Sequence, residues 1–482
     1  MSARTARPRA AAVTLVLVPH RAARDRVWIW AAVAGATTRP GDLRLTTERG
    51  QTARGPAGAW TVVDVGGQLP AEYRTTWTQV VEMGGLAPGQ RHTVRAVVDG
   101  LEAVCRPGTL PDALPRKPDP PYTILLASCF ASFNDKVGAA GANVAGLPEE
   151  FRPHVKLLCG DQVYLDNPWY EVLPRSPSGL AQRFLDKYLA TWVPGGGQTG
   201  LVRLLAEGST YFLADDHEFW NNHPNWGPLV ASRLQGARKE WETVAGSLYR
   251  SFQALPDEDP KKAQRFFVGP LEFYLVDTRF GRREGDTEFT DPDELEALVA
   301  WLQSGSAPGV LVLGAPLFTE PASWFSSRFA DRSLANYAQY ARLAEALLAS
   351  RRPILALTGD VHFGRYATAK DDFASAARLV EIAASPLALV DAAVGGKFHP
   401  APDRFPVVPI RDAHGAEVRS AVRTVQWNDW HESQAGLAVN HFVTLGIHAV
   451  DRGVSVRATA WKIQNGPPTP AGWREFTLQE TV

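Results

Sequence analysis

Three cysteines in 482 residues, Cys105, Cys129 and Cys159, are too few and too odd in number to frame a disulfide scaffold. The fold must rest on its core, and a reducing compartment suits it. Neither sign of charge is in excess: 50 Lys and Arg stand against 51 Asp and Glu, a net charge of -1. Nothing global draws such a chain to nucleic acid or to an anionic membrane, so any partner must be recognised locally. Long apolar runs are missing as well, none approaching the ~18 residues of a membrane span. Sequence repeats, low-complexity tracts and the G-x-S-x-G elbow of serine hydrolases are also absent. Arg4, Arg7 and Arg9 precede AAAVTLVLV (10–18) as in a short signal peptide, but PHRAARDR follows where small neutral residues should mark cleavage. The segment is read as a first β-strand and the protein as cytoplasmic, with secretion as the alternative.

What is present divides at a run of prolines. The length suggests two or three domains at about 100–200 residues each. RVWIWAAVAG, DLRLTT, AWTVVDV, YRTTWTQVVEMGG and HTVRAVVDG are short, rich in Val, Trp and Thr, and punctuated by Gly, Pro and polar clusters. They predict an all-β sandwich over 1–105. RPGTLPDALPRKPDPPY (106–122) reads as a stiff linker, because proline disfavours helix and sheet interiors. From 121 to 482 the pattern alternates. YTILLAS, HVKLLCG, STYFLA, LEFYLVDT, GVLVLGA and RRPILALTG have the length and apolarity of strands covered on both faces. Amphipathic helical stretches lie between them at 229–255, 291–304 and 333–350, and after Lys370 strands dominate again.

The polar residues fall at strand ends. ADDHEFWNN (214–222) leaves the apolar run Thr210-Tyr211-Phe212-Leu213 with three acids and a histidine in immediate succession. Cys129 follows YTILLAS, Asp161 and Tyr164 follow HVKLLCG, and Asp360 and His362 follow RRPILALTG. In open α/β sheets, ligands bind at the carboxyl ends of strands. Singly, each has a structural explanation: a buried thiol, a turn-capping aspartate, a solvated acidic loop. Gathered at one sheet edge, Asp161, Asp216 and Asp360 repel strongly unless cations lie between them, which makes a metal site the economical answer.

ASCF (127–130), GDQVYLD (160–166), ADDHEFWNN (214–222), VDTRF (276–280) and TGDVHFG (358–364), in this order, resemble the PhoD-like alkaline phosphatases and phosphodiesterases. These belong to the calcineurin-like metallophosphoesterases, which include purple acid phosphatases. The resemblance spans residues 121–465. It implies an α/β metallophosphoesterase core, two sheets flanked by helices in four layers, preceded by the small all-β sandwich. GGLAPGQRHTVRAVV (84–98) resembles in turn the turn-and-strand signature of fibronectin type III domains, with His92 at the usual tyrosine position.

The family resemblance implies hydrolysis of phosphate monoesters, diesters or both by a metal-bridging hydroxide. A phosphodiesterase of phospholipase D-like specificity and a non-catalytic binding protein of the same fold are the alternatives. It assigns Asp161 to bridge two metals. Tyr164, His362 and Cys129, the last where many relatives have aspartate, would complete one site. Asp216 and Asp360, where the wider superfamily has asparagine and often histidine, would complete the other. His217 falls at the catalytic histidine, and Ala214 replaces the tryptophan common before Asp-Asp-His-Glu. Thiolate, phenolate and imidazole suit Fe(III), and the aspartate-rich site suits Ca²⁺, Mn²⁺ or Mg²⁺. Five anionic ligands would balance one trivalent and one divalent cation.

Further residues have two readings each. Asp215 and Glu218 orient ligands or form structural ion pairs. Asn221 and Asn222 cap the next segment or touch phosphate. Arg279 neutralises phosphoryl charge or pairs with Asp277. His223 and His431 are read as surface or loop histidines and Cys159 as core. PWYEVLPRSPSG (168–179) has the composition of a lid or substrate-contact loop. The expected partner is a phosphoester substrate, with no nucleic acid and no membrane span.

Overall fold

The alternating apolar residues of the first hundred positions form two four-stranded antiparallel sheets. One holds β1 (Thr14–Ala22), β2 (Arg26–Ala34), β5 (Thr61–Val62) and β6 (Thr76–Gly84) in the order β1-β2-β6-β5. The other holds β3 (Leu43–Thr47), β4 (Thr52–Gly55), β7 (Val94–Val98) and β8 (Leu101–Cys105) in the order β4-β3-β7-β8. Ile29, Ala31 and Met83 of the first meet Leu43, Leu45, Val94 and Ala96 of the second in one core. The computed structural model describes residues 12–168, 170–193, 200–226, 238–323, 332–369, 379–388, 398–411, 415, 417–425, 427 and 438–480. His92, just before β7, is buried, and its Nε2 bonds the Ala87 carbonyl 3.1 Å away. The imidazole thus reaches back to upstream backbone as the phenol of a tyrosine corner does.

The remainder is mixed α/β. β9 (Tyr122–Ala127), β10 (Val155–Cys159) and β11 (Ser209–Leu213) are parallel neighbours. With β20 (His441–Val450), β21 (Gly453–Lys462) and β22 (Thr469–Gln479) they make a six-stranded sheet, order β11-β10-β9-β20-β21-β22. β13 (Leu271–Val276), β14 (Gly309–Leu313), β15 (Ile354–Thr358) and β17 (Leu379–Ala383) run parallel inside an eight-stranded sheet. Its antiparallel members are β12 (Gln264–Val268), β16 (Arg365–Ala369), β18 (Arg404–Arg411) and β19 (Glu417–Thr424), giving the order β12-β13-β14-β15-β17-β16-β19-β18.

Period-two alternation decides how these sheets stack. Ile124, Leu126 and Leu157 of the six-stranded sheet share a core with Val310, Val312 and Leu355 of the eight-stranded one. Alternate residues point outward. Leu125 and Leu158 pack on helices α1 (Ala139–Ala145), α2 (Pro177–Trp192), α3 (Val202–Leu205) and α4 (Arg238–Phe252). Leu311 and Ala356 pack on α5 (Pro292–Gln303) and α6 (Gln339–Ala349). The six strand-like runs read beyond the linker all form strands. Residues 229–237 of the first helical stretch lie outside the described residues.

The proline-rich segment does not stand off in solvent. Leu110 and Leu114 are buried, Arg106 N–H donates to the Ala206 carbonyl at 2.7 Å, and Leu110 N–H to that of Ala23 at 2.9 Å. The sandwich is docked as well. Trp30 Nε1 donates to the Ser251 carbonyl of α4 at 2.8 Å, and Tyr211 Oη to that of Ala22 at 3.0 Å. Among the described residues no helix is long and apolar enough to cross a membrane.

Candidate metal centre

Register places the acids. Cys159, the last residue of β10, pairs with Leu213, the last of β11, so the two chains leave the sheet together and Asp161 comes level with Asp215. Gly160 permits this. It sits at φ 92°, and a Cβ on it would lie 2.3 Å from Asp215 Cβ, an approach open only to glycine. Gly359 does the same between the sheets, where a Cβ would lie 2.6 Å from Ser128 Cβ and 2.8 Å from the Cys159 carbonyl. The Gly-Asp pairs of GDQVYLD and TGDVHFG are thereby brought to one place.

Three sets of donor atoms gather there, each within 4.8 Å of one another: Cys129, Asp161 and His362; Asp161, Asp216 and His217; Asp161, Asp215, Asp216 and Asp360. Asp161 belongs to all three. Its Oδ2 lies 3.5 Å from Cys129 Sγ and 3.3 Å from Tyr164 Oη, while its Oδ1 accepts the His217 N–H at 3.1 Å. Asp161, Asp215 and Asp216 are buried, and His217, Asp360 and His362 are half-buried.

The backbone is strained where these side chains leave it. Eight non-glycine residues have positive φ among the described residues, and five are here: Cys129 (58°), Asp161 (58°), Asn222 (65°), Asp360 (68°) and His362 (57°). Such conformations cost of order 1–3 kcal/mol each and persist only where surroundings enforce them. The enforcing bonds come from two buried serines. Ser128 Oγ accepts the Asp360 N–H at 3.3 Å and donates to the Ala384 carbonyl at 3.1 Å; Ser385 Oγ accepts the His362 N–H at 3.0 Å. Glu218 supports the other side, accepting from the main-chain N–H groups of Asp161 and Asp215, both at 2.9 Å, and of Gln162 at 2.6 Å.

Electrostatics show what the cluster lacks. Burial pushes the Asp161 carboxyl well above the usual range; Asp216, Asp215 and Glu218 add repulsion, which His217 opposes. Burial likewise raises the Cys129 thiol, with Asp161 and Asp360 adding to it, and the Tyr164 phenol, with Cys129 and Asp161 adding to it. It also lifts Glu218 to about 7, against its backbone donors, and lowers His362 to about 4. Burial acts downward on His217, but Asp166, Asp216 and Asp161 together hold it well above the ordinary histidine range. An anionic donor set that burial drives toward protonation fits cations placed among its oxygens, sulfur and imidazole.

Several residues take places the sequence did not assign. Arg279 is fully buried; its Nε bonds Asp215, its Nη1 donates to the His223 carbonyl at 3.0 Å, and its Nη2 lies 4.0 Å from Asp216 Oδ1. Fully enclosed, it positions Asp215 beside the cluster. Asp277 accepts instead the main-chain N–H groups of Arg279, at 3.0 Å, and Phe280. Asn222 N–H donates to Asp216 Oδ2, and Asn221 N–H to Asp166 Oδ2 at 2.8 Å. His223 is buried rather than a surface residue, stacked 4.0 Å from the Phe219 ring. Cys159 lies in the core as read, and His431 falls outside the described residues. Asp166, which the sequence reading passed over, bonds His217 Nδ1 at 2.6 Å; its only signal was an acid ending GDQVYLD. In the 168–179 segment Glu171 pairs with Arg183 and Lys187, and Ser176 caps α2, whose first turn begins at Pro177. Trp169 lies outside the described residues.

No family model, no curated protein and no solved structure matches this chain.

Proposed function

We propose that the chain is a binuclear-metal phosphoesterase of the PhoD-like kind, hydrolysing phosphate monoesters, diesters or both, with the two facing sheets as its calcineurin-like core. The observation that carries this reading is Asp161, one buried carboxylate common to a Cys–His donor set and to an all-aspartate set. Cys129, Asp161, Tyr164 and His362 would hold one cation. Asp161, Asp216 and Asp360, with Asp215 beside them, would hold the other. The soft and phenolic donors favour Fe(III) in the first place; the carboxylates favour Ca²⁺, Mn²⁺ or Mg²⁺ in the second. When bound, the two ions supply neutralisation of phosphoryl charge and activation of water near neutral pH.

The chain's own residues do the rest. Asp166 takes His217 Nδ1, which fixes the ring and leaves Nε2 as the nitrogen that donates to a phosphoryl oxygen or leaving group, a role worth roughly 10²–10⁴-fold. Ser128, Ser385 and Glu218 hold the strained loops, so that the donors are set before substrate arrives. Arg279 opposes the burial that raises the Asp215 carboxyl and holds that side chain in place within the cluster. A non-catalytic binding protein of the same fold gives no reason to keep a full donor set under strain. A screen of monoesters and diesters, with metal content measured on the same preparation, tests the reading. Turnover that tracks bound metal supports it; metal-loaded protein inert to every ester contradicts it.

A further inference from the structure

Lysine is rarely enclosed unless paired, yet Lys187 takes a core-facing place on α2. Leu180, Phe184 and Thr191, spaced with it as one helical stripe, are buried, and its own side chain keeps 10 % of its surface. An ammonium has three N–H donors, and three acceptors meet this one. Nζ donates to the Leu165 carbonyl at 2.8 Å and to the Asn167 carbonyl at 2.6 Å, and lies 2.6 Å from Glu171 Oε2. Burial lowers the lysine's pKa, and Glu171 and Asp166 act against it.

Pairing with Glu171 does not account for the arrangement, because Arg183, one turn earlier on α2, already pairs with that acid. What Lys187 adds is the two carbonyl bonds, and they fall on the residues before and after Asp166. The Leu165 carbonyl belongs to the peptide plane that leads into Asp166, and the Asn167 carbonyl to the plane one residue beyond. Because each peptide is rigid, holding both carbonyls fixes the direction in which the Asp166 side chain leaves the backbone. From the other side, Leu165 N–H donates to the His217 carbonyl at 3.0 Å. Asp166 then has one oxygen 2.6 Å from His217 Nδ1 and the other on the Asn221 N–H at 2.8 Å. The His217 ring lies against Tyr164, with centroids 4.3 Å apart. Helix α2 thus reaches the imidazole through a lysine, a turn and a carboxylate.

We propose that Lys187 is a positioning residue: by holding the carbonyls of Leu165 and Asn167 it sets Asp166, and through Asp166 the ring of His217, against α2. This rests on the phosphoesterase reading above, in which His217 donates in the transition state. The test is a double-mutant cycle of Lys187→Met and Asp166→Asn in the full metal-loaded chain, with p-nitrophenyl phosphate as substrate. Methionine keeps most of the lysine stem and removes the donors. Lys187→Met should lower kcat about tenfold and leave KM within about twofold, since a group that acts only in the transition state leaves substrate binding alone. Bound metal should stay at the native level, because Lys187 belongs to none of the donor sets. In the Asp166→Asn background the same change should cost less than about twofold, the link being already broken. Arg183→Met, which removes the other cation from Glu171, should leave kcat within about twofold of native. If the methionine variant does not fold, the smaller Lys187→Gln decides the same cycle. Unchanged kcat in the Lys187 variant overturns the inference, as does loss of bound metal. A loss that recurs in full in the Asp166→Asn background, or that Arg183→Met reproduces, overturns it and leaves the phosphoesterase reading standing. Failure of the native protein to hydrolyse any ester overturns both together.

Discussion

Replacing Asp166 by Asn keeps the shape of a buried side chain and removes one charge. Asp166 Oδ1 lies 2.6 Å from His217 Nδ1, and its Oδ2 accepts the Asn221 N–H at 2.8 Å. Among the carboxylates that hold the imidazolium above the ordinary histidine range, Asp166 acts most strongly, and it belongs to none of the donor sets. A hydrogen bond to an ionised group contributes about 1.5–3 kcal/mol, and about 1.4 kcal/mol corresponds to one pKa unit. Asp166→Asn should therefore lower the pKa of His217. The sign follows: an imidazolium needed as donor is lost at lower pH, so the alkaline limb of the rate profile moves down. At mildly alkaline pH kcat should fall about 10–100-fold, the usual loss when a hydrogen-bond partner of a working histidine is removed. Bound metal should stay at the native level. Stopped-time p-nitrophenyl phosphate assays from pH 6 to 10, with elemental analysis of the same samples, measure all three quantities. An unchanged profile, or loss of metal together with activity, would refute the reasoning.

Other perturbations have equally definite outcomes. If Tyr164 binds Fe(III) as a phenolate beside Cys129, the purified protein should absorb in the visible through charge transfer. Tyr164→Phe should bleach part of that band and keep the fold; an active, fully metallated, colourless protein would remove iron from the account. Gly160→Ala puts a methyl 2.3 Å from Asp215 Cβ at φ 92°, so urea titration should show a loss exceeding the roughly 1–3 kcal/mol of the backbone alone, and unchanged stability would contradict the packing. Burial lowers the Lys156 pKa from 10.5 to about 7. Between those values the unfolded chain binds the extra proton, so this group makes stability rise with pH, by up to about 1.4 kcal/mol per unit. Lys156→Met should flatten that rise in urea melts between pH 7.5 and 10, and an unaltered slope would show that Lys156 stays charged on the carbonyls of Leu205, Glu207 and Gly208.

The strands were legible because burial on two faces leaves unbroken apolar runs, as in YTILLAS and RRPILALTG. Their polar successors were legible for the same reason, since a charged residue directly after such a run has one place to go. β18 and β19 were harder to read. Their charged residues, such as Arg419 and Arg423, are solvent-facing and dilute the pattern. The linker misled by composition, where Leu110 and Leu114 among the prolines were the sign of burial. The start of α2 was written in Ser176-Pro177, a capping residue followed by a proline at the first helical position. Long-range bonds left no such mark. That Arg279 would turn to Asp215 rather than Asp277, or that Ser385 would clamp His362, depends on residues 64 and 23 positions apart meeting across the fold. The left-handed backbone at Cys129 and His362 is equally silent, since neither residue type announces it.

The central claim is that Asp161 joins two metal sites into one, and elemental analysis of the purified native chain beside Asp161→Ala tests it most directly. Asp161 follows a strand and fills no part of the core, so the variant should fold. The account predicts two metal ions per native chain and loss of both, or of all but a weakly held remnant, in the variant. A native chain that binds no metal, or an Asp161→Ala chain that still holds two, would contradict it.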